Sequence, residues 1–381
     1  MGSLAHSSNM AMPMTPEEIS AEWLSSILGH KVQSFTITST ILNETTGKVF
    51  VDPVYEDGAA NKDRPAHLCL KGSFNPTMAN MRGYAELLYM AYSQEVEFFA
   101  RVAPKLPTEV LRLPQVWWAG ASHEQMQGIC AMEDLNRRPS ISYCEPAEAA
   151  TLSEAMACVE QLAALHAATW DYSRERDFPS AGGYETVMLG LTLAWDAMAL
   201  NPARPSIPEA YRDQARTTAA IKKHFAIRNP RFLCLVHGDS HVGNLFIDND
   251  GPAFLDWQFA SVGSAFHNVA YYLAGALSVA DRRKHEDAVL DHYLATLAQL
   301  GGAKLDRNDE KVYQEYRKCL ISGMGWVLTP VQMQKRERVE AMVERYAAAF
   351  EDHKVIELIE SLPSPSRSSS SPCGCWLHTS Q

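Results

Sequence analysis

The stretch from Phe232 to Trp257, Phe-Leu-Cys-Leu-Val-His-Gly-Asp-Ser-His-Val-Gly-Asn-Leu-Phe-Ile-Asp-Asn-Asp-Gly-Pro-Ala-Phe-Leu-Asp-Trp, constrains this chain more than any other. An apolar run delivers the backbone to His237-Gly238-Asp239, and a short loop leads to Asn244. Leu245–Asp248 and Pro252–Leu255 flank Asn249-Asp250-Gly251, residue types that take the tight angles of a hairpin turn. With the turn centred at Asn249–Asp250 or Asp250–Gly251, Asn244 falls opposite residues 255–257. Asn244 and Asp256 then meet at one end of the hairpin, and Asp239 lies on the loop at that end. Two carboxylates and a carboxamide make a hard-oxygen site that suits Mg²⁺, which takes one or two carboxylates plus phosphate oxygens.

The rest of the chain divides by period. Thr15-Pro16-Glu17-Glu18 reads as a helix start, with Thr15 as N-cap and Glu18 closing a capping box, and the helix should stop at Gly29. From Val32 the apolar period becomes two, with runs around Phe35–Ser39, Val49–Val54 and Ala66–Lys71 that predict three antiparallel strands. An amphipathic helix is expected over about 84–102, and runs at Val116–Trp118 and Gly128–Met132 bring the sheet to about five strands. From Pro146, a plausible first helical residue, the character is helical, with further helices near 184–200, 208–225, 265–280, 282–300, 308–328 and 335–361. The expected class is α+β, a small antiparallel sheet lobe followed by a large helical lobe. The boundaries predicted are a disordered 1–14, a sheet lobe 15–135, a helical lobe 136–362 and a disordered serine-rich tail 363–381. The 381 residues, 46% apolar and 21% charged, allow two domains or one domain of two lobes.

His-Gly-Asp-x-x-x-x-Asn followed by Asp-Trp at the end of a hairpin resembles the motif of the aminoglycoside phosphotransferase and choline kinase family, and the ecdysteroid-kinase-like branch is similar. The resemblance implies a protein-kinase-like fold and an enzyme, a small-molecule kinase that uses ATP and Mg²⁺ to phosphorylate a hydroxyl of a metabolite. It makes Asp239 the catalytic Asp that orients or deprotonates that hydroxyl, and Asn244 and Asp256 the Mg²⁺ ligands. Lys71, ending Leu-Cys-Leu-Lys, matches the strand Lys that contacts the α- and β-phosphates, and Glu95 the helix Glu that pairs with it. Glu97 would point away from the face that includes Glu95. Ala131-Met132-Glu133-Asp134-Leu135 resembles the hinge that meets the adenine, which places Glu133 and Leu135 among the nucleotide-binding positions. Two departures stand out. Asn43-Glu44-Thr45-Thr46-Gly47, at the phosphate-covering turn, has one glycine, and Asn268 precedes Val269-Ala270 where the family often has Asp. If both lobes serve one nucleotide, they are halves of one active site.

Two other function classes compete with a kinase. A nucleotide-binding pseudokinase would keep the fold and lose transfer. A metal-dependent hydrolase would use His237, Asp239 and His241, whose period-two spacing could present three ligands on one face. The formal charge of −11 argues against a general nucleic-acid partner, which would call for a basic face. Eight scattered cysteines are expected to be reduced thiols of a cytoplasmic protein, those of Cys373-Gly374-Cys375 included. Trp257–Ala280 carries no Asp, Glu, Lys or Arg. Its Gln258, His267, Asn268 and three serines predict a buried helix rather than a membrane span. His166 and His237 are expected to be structural. The acceptor is a small molecule whose identity stays open, because Asp171, Glu175, Asp177 and Asp196 offset Arg174, Arg176 and Arg204.

Overall fold

The computed structural model describes residues 11–43, 47–56, 58, 61, 63–74, 84–179, 183–331 and 333–363. The first ten residues, the turn residues 44–46, Asp57 and the serine-rich tail from 364 onward, with its Cys-Gly-Cys, lie outside them. The chain forms two compact units, Met1–Tyr143 with Phe246–Ala260 and Cys144–Leu245 with Ser261–Gln381. The fold is α+β, with an antiparallel sheet and many helices.

In the first unit, Thr15 does not cap the first α-helix. Pro16–Glu18 is a single 3₁₀ turn without a side-chain cap, and α1 (Ala21–Leu28) starts at Ser20, whose side chain accepts from Trp23 N–H. Gly29 ends it at φ 68°, the left-handed angle that costs glycine least. Then come β1 (Val32–Leu42), β2 (Gly47–Tyr55), β3 (Leu68–Gly72), α2 (Tyr84–Glu97), a π turn (Phe98–Val102), β4 (Val116–Ser122) and β5 (Gln127–Glu133). All neighbours in the sheet are antiparallel, in the order β1-β2-β3-β5-β4. β3 is therefore bonded on both sides, and all five of its residues are buried. Trp23, Leu24 and Ile27 of α1 join Val49, Val51, Leu68, Leu70 and Ile129 in one apolar core. Each fully buried side chain of this size contributes about 1.5–3 kcal/mol by leaving water. A two-residue strand, β6 (Ser142–Tyr143), follows.

The second unit opens with α3 (Leu152–Ala168), not at Pro146. Thr151 is its N-cap, and Glu154 reaches back to complete the capping box. After α4 (Tyr184–Leu193), α5 (Trp195–Met198) and α6 (Gln214–Ala226), the chain enters β7 (Leu233–Val236). The predicted hairpin follows as β8 (Leu245–Asp248) and β9 (Gly251–Phe254), with Asn249 and Asp250 as its turn and Gly251 at φ 107°. Its residues from Phe246 belong to the first unit, where β6 pairs with β8. Arg112 grips Asp248 at 2.6 and 2.8 Å and also bonds the Gly251 carbonyl, so its guanidinium bridges the two strands beside the turn. β10 (Ser261–Ser264) pairs with β7, and α7 (Ala265–Ala276) is buried at all twelve positions. Among the described residues no helix is long and apolar enough to cross a membrane. The helices α8 (Val279–Gln299), α9 (Glu310–Cys319), α10 (Met324–Leu328), α11 (Arg336–His353) and α12 (Val355–Ser361) complete the unit. The single helix expected over 335–361 is broken at Lys354, which sits at φ 48°.

Candidate active site

Lys71 stands near the end of β3, a strand that sheet bonding and burial on both faces hold rigid. Its side chain is 4% exposed, and Nζ donates to Glu95 at 2.8 Å and to Asp256 Oδ1 at 3.0 Å. Burial alone would push the ammonium down. The carboxylates of Asp256 and Glu95 outweigh it and hold Lys71 above the ordinary lysine range, so it stays charged. Glu95 lies in the last turn of α2 and is fully buried. Burial pushes its carboxyl up against the pull of Lys71. Its Oε1 also accepts from the Trp257 backbone N–H at 3.1 Å, and the Trp257 ring stacks on Phe98 with centroids 3.9 Å apart. Asp256 itself sits at φ 65°, a left-handed angle that costs a non-glycine residue roughly 1–2 kcal/mol. The strain is offset by what it positions, a carboxylate on Lys71 and a backbone N–H on Glu95. Glu97 turns away and pairs with Arg101, one turn further on.

Glu133 and Leu135 adjoin at the end of β5. The Glu133 carboxylate is engaged by Arg138, at 2.6 and 2.9 Å, and by the Gln115 N–H at 2.8 Å. Leu135 is buried against Phe246 and Ala253. Arg138 also reaches Asp248 at 2.8 Å and lies over the Phe246 ring, which ties this segment to the hairpin.

In the second unit, the loop between β7 and the hairpin turns on Gly238 at φ 87°. The side chain of Asn244 donates to the Asp239 carbonyl at 2.9 Å and to its Oδ2 at 3.2 Å, so the two residues are brought together as predicted. Asp239 Oδ1 accepts from the Tyr271 hydroxyl at 3.0 Å. His237 is buried and its Nδ1 accepts from the Asp239 N–H at 3.3 Å, a structural role.

The loop is pinned by three residues of α7, and two of them escaped the sequence reading. His267 Nε2 meets the Gly238 carbonyl at 2.7 Å, and its Nδ1 meets the Ser322 hydroxyl at 2.8 Å. A carbonyl only accepts, so the proton sits on Nε2. Burial holds the imidazole down to about 4, hence neutral. Asn268 Oδ1 accepts from Gly238 N–H at 3.2 Å while its Nδ2 faces His166 Nε2 at 3.2 Å. Burial keeps His166 neutral, and the Asn268 amide suits the tautomer with Nε2 unprotonated, whereas an Asp would suit the opposite one. That histidine is satisfied on its other side by the Tyr293 hydroxyl at 2.8 Å, as a core residue would be. Tyr271 is the third pin. It stands four residues, about one turn, beyond His267, so the two side chains are neighbours along the helix.

The donor chemistry fits a nucleotide with Mg²⁺. Lys71, Glu95 and Asp256 carry one positive and two negative charges. In the first unit Asp256 is a third exposed; in the second unit, taken by itself, Asn244 has a carbonyl oxygen left over once its amide nitrogen faces Asp239. These are hard oxygen donors. The histidine set does not fit a metal hydrolase. Among the described residues no group of three or more His, Cys, Asp or Glu is arranged to hold a metal ion. His237 spends Nδ1 on the Asp239 backbone and His241 spends Nδ1 on the Gly243 N–H at 3.0 Å, so the two rings serve the loop.

Among solved structures, a choline kinase from Cryptosporidium parvum Iowa II is 14% identical, covers 91% of this chain and 93% of its own, and has a TM-score of 0.48. Choline kinase LicA from Streptococcus pneumoniae is 12% identical, with coverage of 87% and 96% and a TM-score of 0.44. A thermostable mutant of aminoglycoside phosphotransferase APH(4)-Ia is 15% identical, with coverage of 87% and 99% and a TM-score of 0.42. No curated protein sequence matches the chain. The model of the phosphotransferase enzyme family matches residues 85–310, more than half of the 381. The chain belongs to the phosphotransferase enzyme family.

Proposed function

We propose that this protein is a small-molecule kinase that transfers the γ-phosphate of ATP, with Mg²⁺, to a hydroxyl of a metabolite. The observation that carries the reading is the Lys71–Glu95–Asp256 cluster, assembled from positions 24 and 185 residues away from Lys71. With Glu95 and Asp256 holding its Nζ in place, Lys71 would offer its charge to a phosphate oxygen. Asp256 and Asn244 would hold Mg²⁺, which when bound neutralises charge on the transferring phosphoryl group. The backbone at Glu133 and Leu135 would meet the adenine. The Glu133 side chain is engaged by Arg138, so it shapes the segment rather than binding nucleotide. Asp239 would orient the acceptor hydroxyl and take its proton. Phosphoryl transfer asks little covalent chemistry of a protein, so positioning and charge supply most of the rate.

The test is ADP release from Mg·ATP against choline, aminoglycosides, sugars and steroid alcohols. One or more should turn over above the water background, and Asp239→Asn should lower kcat by about 10²–10⁴-fold while sparing nucleotide binding. A chain that neither releases ADP with any acceptor nor gains thermal stability from Mg·ATP is not this enzyme. Full turnover by Asp239→Asn would remove that residue from its role.

A further inference from the structure

We infer that Tyr271 is a positioning residue that sets the rotamer of the Asp239 carboxylate, so that Oδ2 rather than Oδ1 meets the acceptor hydroxyl. The inference rests on the phosphotransferase reading of Asp239 given above. A carboxylate only accepts, so the single Tyr271 hydroxyl proton points to Oδ1, at 3.0 Å. That oxygen is thereby occupied by the hydroxyl of a buried tyrosine. Oδ2 is steadied by Asn244 at 3.2 Å and lies 3.7 Å from His241 Nε2. Burial, and then the charge of Asp239, push the Tyr271 phenol well above its ordinary value. It therefore keeps its proton and stays a donor.

What makes Tyr271 a fixed point is the stack around it. Tyr346 of α11 lies parallel to its ring, with centroids 5.5 Å apart and planes at 16°, and donates from its own hydroxyl to the Tyr271 carbonyl at 2.8 Å. His267, which holds Gly238, stacks on the other neighbour side at 6.0 Å and 29°. Tyr184 Oη lies 3.1 Å from Tyr271 Oη and 2.8 Å from the Ser322 carbonyl. Two glycines make room for this arrangement. A Cβ on Gly275 would stand 2.5 Å from Tyr346 Oη, and one on Gly323 would stand 2.1 Å from the Tyr346 ring. Neither glycine has a positive φ, so their use here is close approach and not backbone freedom. The tyrosine is thus clamped along its ring and at its carbonyl, and its hydroxyl is delivered to one oxygen of Asp239. A carboxylate held this way need not be reoriented during turnover.

Tyr271→Phe removes one oxygen and preserves the stack. With Mg·ATP and the acceptor that turns over fastest in the panel above, kcat should fall about 10- to 100-fold, the span of one hydrogen bond to a charged group. KM for ATP should stay within about twofold, a split that general loosening of the fold would not give. Tyr316→Phe, which removes a buried hydroxyl bonded to Glu286 at 2.6 Å and outside the Tyr271 stack, should change kcat by no more than about threefold. In an Asp239→Asn background, Tyr271→Phe should add little, because both act through one carboxylate. If Tyr271→Phe keeps kcat within twofold, or if both phenylalanine variants lose kcat alike, Tyr271 is a packing residue and the inference falls. If Tyr271→Phe leaves turnover intact while Asp239→Asn abolishes it, only the inference fails. If Asp239→Asn is itself fully active, the underlying reading of Asp239 fails instead.

Discussion

Lys71 is a residue whose chemistry depends on being surrounded. A lysine at a strand end is commonplace in sequence, and its meaning here comes from two carboxylates that only the fold delivers to it. Glu95 over Glu97 was legible, since two residues apart on a helix point to different sides, and Glu97 does pair with Arg101 instead. The left-handed φ of Asp256 was not legible, because a carboxylate adopts that angle only when partners hold it there. Lys71→Met should destabilise the protein by about 3 kcal/mol, the low end for truncating a buried pair because Glu95 can take up a proton. Urea midpoints would measure it. Adding Glu95→Gln should recover most of that stability, by removing the orphaned charge, yet recover no turnover. A double variant no more stable than Lys71→Met would mean that the charge of Glu95 was not what the lysine balanced.

At the scale of elements, local chemistry was read well for turns and poorly for helix starts. Asn249-Asp250-Gly251 folds as a hairpin, and Gly29 ends its helix in the left-handed region. Thr15 and Pro16 carried a complete start signal and made only a 3₁₀ turn, while Ser20 and Thr151 are the real caps. Several capping candidates within a few residues have similar local energies, and the winner is set by where the apolar face must land. Trp23 and Leu24 reach the core of the sheet when the helix begins at Ala21. Thr151→Ala and Ser20→Ala should each cost about 1 kcal/mol in unfolding free energy, whereas Thr15→Ala should cost nothing measurable. Equal losses from all three would place a working cap at Thr15.

For the whole molecule, the acidic composition argues against a general nucleic-acid partner but leaves the pH response to the tertiary structure. His166, His224 and His267 are buried in the helical unit, and burial lowers each imidazole: His166 to about 3, His267 to about 4 and His224 well below its ordinary value. Each folded value lies below the 6.5 of the unfolded chain. As pH falls below 6.5 the unfolded state takes up protons that the folded state refuses, and stability declines by up to about 1.4 kcal/mol per histidine per pH unit. Between pH 7 and 5.5 the three together should remove about 4 kcal/mol, measured by urea unfolding at the two values. Unchanged stability would show that these rings take up protons as readily in the folded chain as in the unfolded one. By itself the sequence determined the order of elements and the hairpin that follows Asn244. Both are set by spacing along the chain or by turn chemistry within a few residues. Tertiary structure decided that β5 enters the sheet between β3 and β4. It also decided that Asp256 takes a strained angle, and that His267, Asn268 and Tyr271 hold the loop from beneath. Those outcomes depend on burial and on partners far away in sequence, and periodicity marks such side chains only as core.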